Sequence, residues 1–162
     1  MKSKLITRLV SFICLSVIVL YLPVSAEAAK GDLSVGLNYP GLGVKYSISN
    51  KIALEVKGQS AMDITVIGLR GNYFFKPEGD KKLKFFTGLE ADFISFKGEV
   101  SKGSGIAAEV FAGGEYFVNK KLAIQLDLGP AFISLTDSDY SESVSGIEYV
   151  VNFGINYYFK IK

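Results

Sequence analysis

The stretch from Gly146 to Phe159, near the end of the 162-residue chain, constrains the fold most. Every second residue is large and apolar: Ile147, Tyr149, Val151, Phe153, Ile155, Tyr157 and Phe159. Between them stand Glu148, Asn152, Gly154 and Asn156, with Val150 and Tyr158 as exceptions. A period of two belongs to a strand with two unlike faces. The stretch exceeds the five or six residues typical of a strand. It is long enough for the roughly 9–11 tilted residues that cross a bilayer. The pattern predicts a transmembrane β-strand, apolar toward lipid and polar toward a closed interior.

The beginning of the chain sets the compartment. Lys2, Lys4 and Arg8 precede an apolar run from Leu9 to Leu22, and Ala26 and Ala28 come next as small residues at cleavage spacing. This order predicts a signal peptide over 1–28 and a mature domain over 29–162. The run is about 14 residues, short of the roughly 20 of a spanning helix. Cys14, the single cysteine, lies inside it, behind Phe12-Ile13 rather than the small residues of a lipidation site. From Ala29 onward there is neither cysteine nor histidine. Setting aside three of the 18 basic and one of the 16 acidic residues leaves 15 of each. No disulfide braces such a domain, and no basic surplus speaks for nucleic acid as a partner.

Seven further segments alternate like the last: 32–39, 42–49, 52–60, 64–76, 83–97, 105–118 and 122–135. In the first, Leu33, Val35, Leu37 and Tyr39 oppose Asp32, Ser34, Gly36 and Asn38. The links are Pro40-Gly41, Asn50-Lys51, Ala61 to Asp63, Pro77 to Lys82, Gly98 to Ser104, Asn119 to Lys121 and Thr136 to Ser145, mostly turn-forming residues. Pro130, inside the seventh segment, cannot donate a ladder bond and predicts a bulge or bend. Short links exclude crossover helices. The expected fold is all-β: an eight-stranded antiparallel up-and-down transmembrane β-barrel, closed by pairing strand eight with strand one because lipid tolerates no open edge.

In an even-stranded barrel both termini share one side, the periplasm in a bacterial outer membrane. The links after strands two, four and six fall there. Tyr73, Phe75, Phe85, Tyr116, Tyr157 and Phe159 gather at that rim as an expected interfacial aromatic girdle. The external rim carries a thinner set, Tyr39, Phe93, Phe132 and Tyr149.

The polar face sets Lys45, Lys57, Arg70 and Lys84 against Glu55, Glu90, Asp92, Glu109, Glu115, Asp127 and Glu148. Opposite charges in a narrow barrel are expected to pair, because an isolated buried charge is very costly. Glycines at 36, 43, 68, 88, 113, 129 and 154 share that face and leave room for long side chains. Eight strands enclose just enough space for side chains to fill, so a plugged lumen is expected over a thin cation-preferring conduit. No catalytic, cofactor-binding or metal site is expected. Acyl-transfer and hydrolytic chemistry leans on a histidine base, and the chain has none. Glu90 and Asp92 form a carboxylate pair better suited to ion pairing with Arg70 or Lys84. Asp137-x-Asp139-x-Ser141-Glu142 resembles the opening of a calcium loop, but Glu142 stands where such loops use glycine.

With its signal peptide, eight alternating segments and the aromatic close Tyr157-Tyr158-Phe159, the chain resembles the small eight-stranded outer-membrane proteins of the OmpA transmembrane-domain and OmpX type. The resemblance covers about 31 to 162. It implies insertion by the barrel-assembly machinery and contact with outer-membrane lipid and lipopolysaccharide, as a monomer. Lys160-Ile161-Lys162 after Phe159 departs from the terminal aromatic that this machinery favours. The leading functional expectation is a non-enzymatic structural or surface-interaction barrel in the outer membrane. The alternatives are a minimal porin for small ions or solutes and a soluble periplasmic lipocalin-like barrel with its apolar face inward.

Overall fold

The structure, a computed structural model, describes residues 30–160 apart from 40, 62, 76–81, 99–101 and 141. The expected signal peptide, Pro40 and most of the Pro77 to Lys82 link lie outside the described residues. Eight strands succeed one another: β1 (Asp32–Asn38), β2 (Gly41–Ser47), β3 (Ile52–Ala61), β4 (Ile64–Phe74), β5 (Leu83–Lys97), β6 (Lys102–Phe117), β7 (Leu122–Asp137) and β8 (Ser143–Lys160). Each pairs antiparallel with the next, and β8 pairs with β1, so the sheet is the expected closed up-and-down barrel. Tracing paired residues once round returns to β1 displaced by ten residues. Over eight strands that stagger corresponds to a tilt of about 40°.

The two faces separate by alternation. Leu89 and Leu128 point outward and are 64% and 57% exposed, while Arg70 and Glu115 point inward and are both 0% exposed. The leucines are thus outside and the ionic groups inside, the reverse of a lipocalin-like barrel.

Three tight links carry their own chemistry. Ser49 Oγ accepts from the backbone N–H of Lys51 and Ile52 at 3.2 and 3.0 Å. Asn119 Oδ1 accepts from Lys121 and Leu122 at 2.8 and 2.9 Å. Asp137 Oδ1 accepts from Asp139 and Tyr140 at 2.8 and 3.2 Å. Short polar side chains that bond the backbone ahead of them favour such turns.

The end that holds the Asp137 link departs from the sequence expectation. β6 starts at Lys102 rather than Gly105, β7 continues to Asp137, and β8 starts at Ser143 rather than Gly146. The Gly98 to Ser104 and Thr136 to Ser145 links are therefore shorter than their composition suggests, because Ser, Thr and Gly there are paired. Ser60, Thr65, Ser95, Ser104, Thr136 and Ser143 form one unbroken row of cross-strand partners over six strands. All six are exposed. The neighbouring inward row starts at Gln59 on β3 and is apolar from β4 onward: Val66, Ile94, Gly105, Leu135 and Val144 are successive partners. Near that end the faces exchange character, polar outside and apolar inside. β5 to β8 have 15–18 residues, whereas β1 and β2 have seven, so one side of the wall is much lower.

Pro130 makes no bulge. The β6–β7 register is the same on both sides of it, Glu109 opposite Ala131 and Ala112 opposite Leu128. The ladder lapses only at the two intervening positions on the β6 side, where proline offers no N–H, while Pro130 keeps its place opposite Tyr149. Beside the lapse the backbones are close. A Cβ on Gly129 would run into the Val110 carbonyl oxygen and sit 2.7 Å from Phe111 Cα, whereas one on Gly58 would meet nothing within 4 Å. Backbone cannot swing aside as a side-chain tip can. Gly129→Ala is expected to lower barrel stability by about 1–3 kcal/mol, and Gly58→Ala to change it by no more than about 0.5 kcal/mol. Urea titration of the folded fraction in detergent checks both; equal midpoints for the two variants would refute the close-approach account.

Candidate functional site: the barrel lumen

The register places the charged residues beside one another. One cross-strand row reads Lys45, Glu55, Arg70, Glu90, Glu109, Ala131, Glu148, from β2 to β8. Charge alternates along it up to Glu90, and Glu109 then succeeds another glutamate with only alanine beyond. Arg70 sits at the centre. Its Nε lies 2.9 Å from Glu90 Oε2, and its Nη2 lies 2.7 Å from Asp127 Oδ1. Lys57 Nζ donates to Glu90 Oε1 at 2.6 Å. Charge-assisted bonds of this kind are stronger than neutral ones.

Amides and a phenol complete a second group around Glu115. Lys45 Nζ donates to Gln125 Oε1 at 2.6 Å and lies 3.4 Å from Glu115 Oε1. Asn156 Nδ2 and the Tyr158 hydroxyl donate to that same glutamate oxygen at 2.8 and 2.7 Å. Gln125 Nε2 and Asn152 Nδ2 donate to Asp127 at 2.9 and 3.0 Å, joining the two groups. Asn38 Nδ2 donates to Glu55 Oε1 at 2.7 Å. Satisfied in this way, buried charges become tolerable.

Among the described residues five buried aromatic rings share the lumen. Phe74, Phe86 and Phe111 form one cluster with Ala53; Phe117 and Tyr158 form another with Ala123. The Arg70 guanidinium carbon lies 3.9 Å from the Phe111 ring centroid, and Lys84 Nζ lies 5.2 Å from that of Phe117. Such contacts reach about 2 kcal/mol when desolvated. Alternation alone does not single these rings out. The available signal was their parity, since each falls on the same face as the lysines and glutamates.

The expected network residues are not all alike. Lys45, Glu55, Lys57, Arg70, Lys84, Glu90, Glu109, Glu115 and Asp127 are buried. Asp92 is half-buried at the top of the charged layer. Glu148 departs from the expectation: it is exposed, because β8 rises there beyond the end of β1. Of the expected girdle, Tyr73, Phe75, Phe85, Tyr157 and Phe159 are exposed on the outer face and Tyr116 is half-exposed. Tyr73 packs edge-on to Phe75 and Tyr157 to Phe159, at 5.6 and 4.8 Å between centroids. In the acidic loop, Asp137 caps its own turn and Asp139 Oδ2 accepts from the Lys102 N–H at 3.1 Å. Among the described residues no group of three or more acidic, histidine or cysteine side chains is placed to hold a metal ion.

Fold and lumen together define the class: a closed eight-stranded antiparallel β-barrel, apolar outside and ionic within. The chain is similar in structure to the N-terminal β-barrel domain of Pseudomonas aeruginosa OprF, with a TM-score of 0.55 at 13% sequence identity, covering 79% of this chain and 94% of that one. At that identity the likeness is one of fold. No protein-family model matches the chain, and no curated protein sequence does either.

Arg70 pairs with both Glu90 and Asp127, and removing it leaves Asp127 with no cation and Glu90 with Lys57 alone. Arg70→Met is expected to cost about 3–5 kcal/mol of stability. Adding Glu90→Gln and Asp127→Asn should recover much of that loss. Urea midpoints in detergent measure both; a single variant as stable as the parent would show that the cluster contributes nothing.

Proposed function

We propose that the protein is a non-enzymatic integral outer-membrane β-barrel of structural or surface-interacting role, working as a monomer with its lumen filled by its own side chains. On this reading 1–28 is a signal peptide, 29–162 is the mature domain, and the barrel-assembly machinery inserts it beside phospholipid and lipopolysaccharide.

The outer belt carries the reading. On β7 the outward positions from Leu122 to Phe132 are apolar apart from Pro130, and Ser134 and Thr136 come next. Ten residues on a strand tilted by about 40° rise about 25 Å, the height of the apolar band on outer-membrane barrels. Aromatics mark one edge of the belt and the hydroxyl row marks the other. No sheet-forming edge is left open round the base, as hydrocarbon requires. The likeness to the OprF barrel domain agrees with this environment.

The lumen supports a plug over a pore. At the level of Arg70 the section is filled by its two acidic partners, Phe111 and the amides, and a hydrated ion would have to displace paired charges.

Two measurements test the proposal. The mature protein should sediment with outer membranes and migrate differently on gels with and without boiling; release into a detergent-free periplasmic extract would sink it. In planar bilayers the purified protein should show no steady unitary conductance, and discrete long-lived openings would replace the plug with the porin reading.

A further inference from the structure

Above the ion-paired layer the lumen becomes a cup of a different kind. Val66, Ile94, Ile133, Leu135 and Val150 face inward and are partly open to solvent. At its floor lie Asp92, whose carboxyl is hydrogen-bonded to that of Glu90, and Glu109, whose Oε1 atom is buried without a hydrogen-bond partner. A buried acceptor left unpaired costs about 1–3 kcal/mol, more when charged. Glu148 lies on the same face by alternation but is exposed at the rim. Among the described residues no lysine or arginine faces the lumen above Lys57 and Arg70. The cup is therefore apolar in its walls and negative at its base.

It is also open sideways. β1 pairs with β8 only up to Asn38 opposite Gly154, beyond which the Tyr39 N–H donates to the Phe153 carbonyl at 3.1 Å. From Ser143 to Asn152, β8 continues beside β7 with no strand on its other side. The outward residues along that free stretch include Val151, Tyr149 and Ile147, which belong to the apolar belt. The opening thus lies at the height of the belt. Its sill is an outer groove of about 450 Å³ lined by Leu37, Leu42, Phe153 and Ile155 among others.

We propose that this cup binds an amphiphile with one cationic ammonium head and an apolar tail, admitted through the gap above the β1–β2 hairpin. The inference rests on the membrane reading, which puts hydrocarbon at the gap. An ammonium head supplies the donor that Glu109 Oε1 lacks, beside the Asp92 carboxyl. The tail lies against Ile133, Leu135 and Val150. Charge complementarity selects the sign of the head: an anionic amphiphile would meet the carboxylates first, with Lys57 and Arg70 below them already paired to Glu90 and Asp127. A bare cation would leave the apolar walls unused.

The test uses the mature protein in phospholipid nanodiscs, titrated calorimetrically against empty discs. Decyltrimethylammonium should bind saturably at one site, and tetramethylammonium and decyl sulfate at least tenfold more weakly. Asp92→Asn/Glu109→Gln should weaken binding at least tenfold, as should Ile133→Gln, with heat-modifiable mobility unchanged. Glu109→Gln alone serves if the double variant does not refold. Equal affinity for decyl sulfate would mean adsorption to the belt and overturn the proposal. Equal affinity for tetramethylammonium would reduce the site to a cation site, and the absence of saturable binding would remove it. Protection of the strands from protease in the same discs reports insertion separately. If the protein inserts but binds nothing, this inference alone fails; if it does not insert, both readings fall.

Discussion

Everything in this barrel depends on the register with which the sheet closes on itself. β1 and β8 are far apart in the chain, yet Leu33 meets Phe159 and Leu37 meets Ile155. With this stagger, the row that leaves β2 at Lys45 passes through Glu55, Arg70 and Glu90. A slip of one residue in any pairing would turn a strand's apolar side chains into the lumen. A slip of two would keep the faces but part Arg70 from Glu90, placing it opposite Gly88 in one direction and opposite Asp92 in the other. The ion pairs therefore specify the register as well as result from it, a role known for buried polar groups.

The lumen is filled by three kinds of residue whose demands offset one another. Long charged chains need space beside them, and Gly68 leaves it: a Cβ there would run into Asp92 Oδ1 and sit 3.0 Å from Glu90 Oε1. The guanidinium of Arg70 needs a flat, weakly polar neighbour on its face, and Phe111 provides it. Phe111 in turn needs room, which Gly88 gives, because a Cβ on that glycine would meet the ring. Glycine, phenylalanine and arginine thus form one packing unit across β4, β5 and β6, with no single member sufficient.

Alternation in the sequence carries some of this structure and not the rest. Strand number, the order of turns and the polar face were legible because each strand keeps its phase for most of its length. The partners of each charge were not, since they depend on the stagger summed over several hairpins. Neither were the inward rings: in Lys84-Phe85-Phe86 one phenylalanine faces out and the next faces in, and hydrophobicity alone does not separate them. The starts of β6 and β8 and the last two residues of β7 were missed because polar and small residues there are paired. Phe93-Ile94-Ser95-Phe96 and Phe132-Ile133-Ser134-Leu135 share one pattern, two adjacent apolar residues at which the apolar parity changes sides. The fifth segment was nonetheless bounded as β5 is, at 83–97, whereas Lys102 to Ser104, Thr136 to Asp137 and Ser143 to Ser145 read as loop from their serines, threonine and glycine.

That change of side has a physical reason under the proposed membrane setting. A strand in hydrocarbon must be apolar outside, whereas a strand standing in water folds stably only with its apolar residues turned inward. β5 to β8 pass from one solvent to the other, and their alternation reverses where they do so, at the step from Phe93, Ile106, Phe132 and Ile147 to the hydroxyl row. Were the whole barrel in water, the outer face would have no cause to become polar along one continuous row of neighbouring strands. The short β1–β2 hairpin ends below that step, so it has no water-facing part and no reversal. The lower wall and the reversed phase are two consequences of how far each hairpin rises, and together they leave an apolar interior beside an opening at the level of the belt.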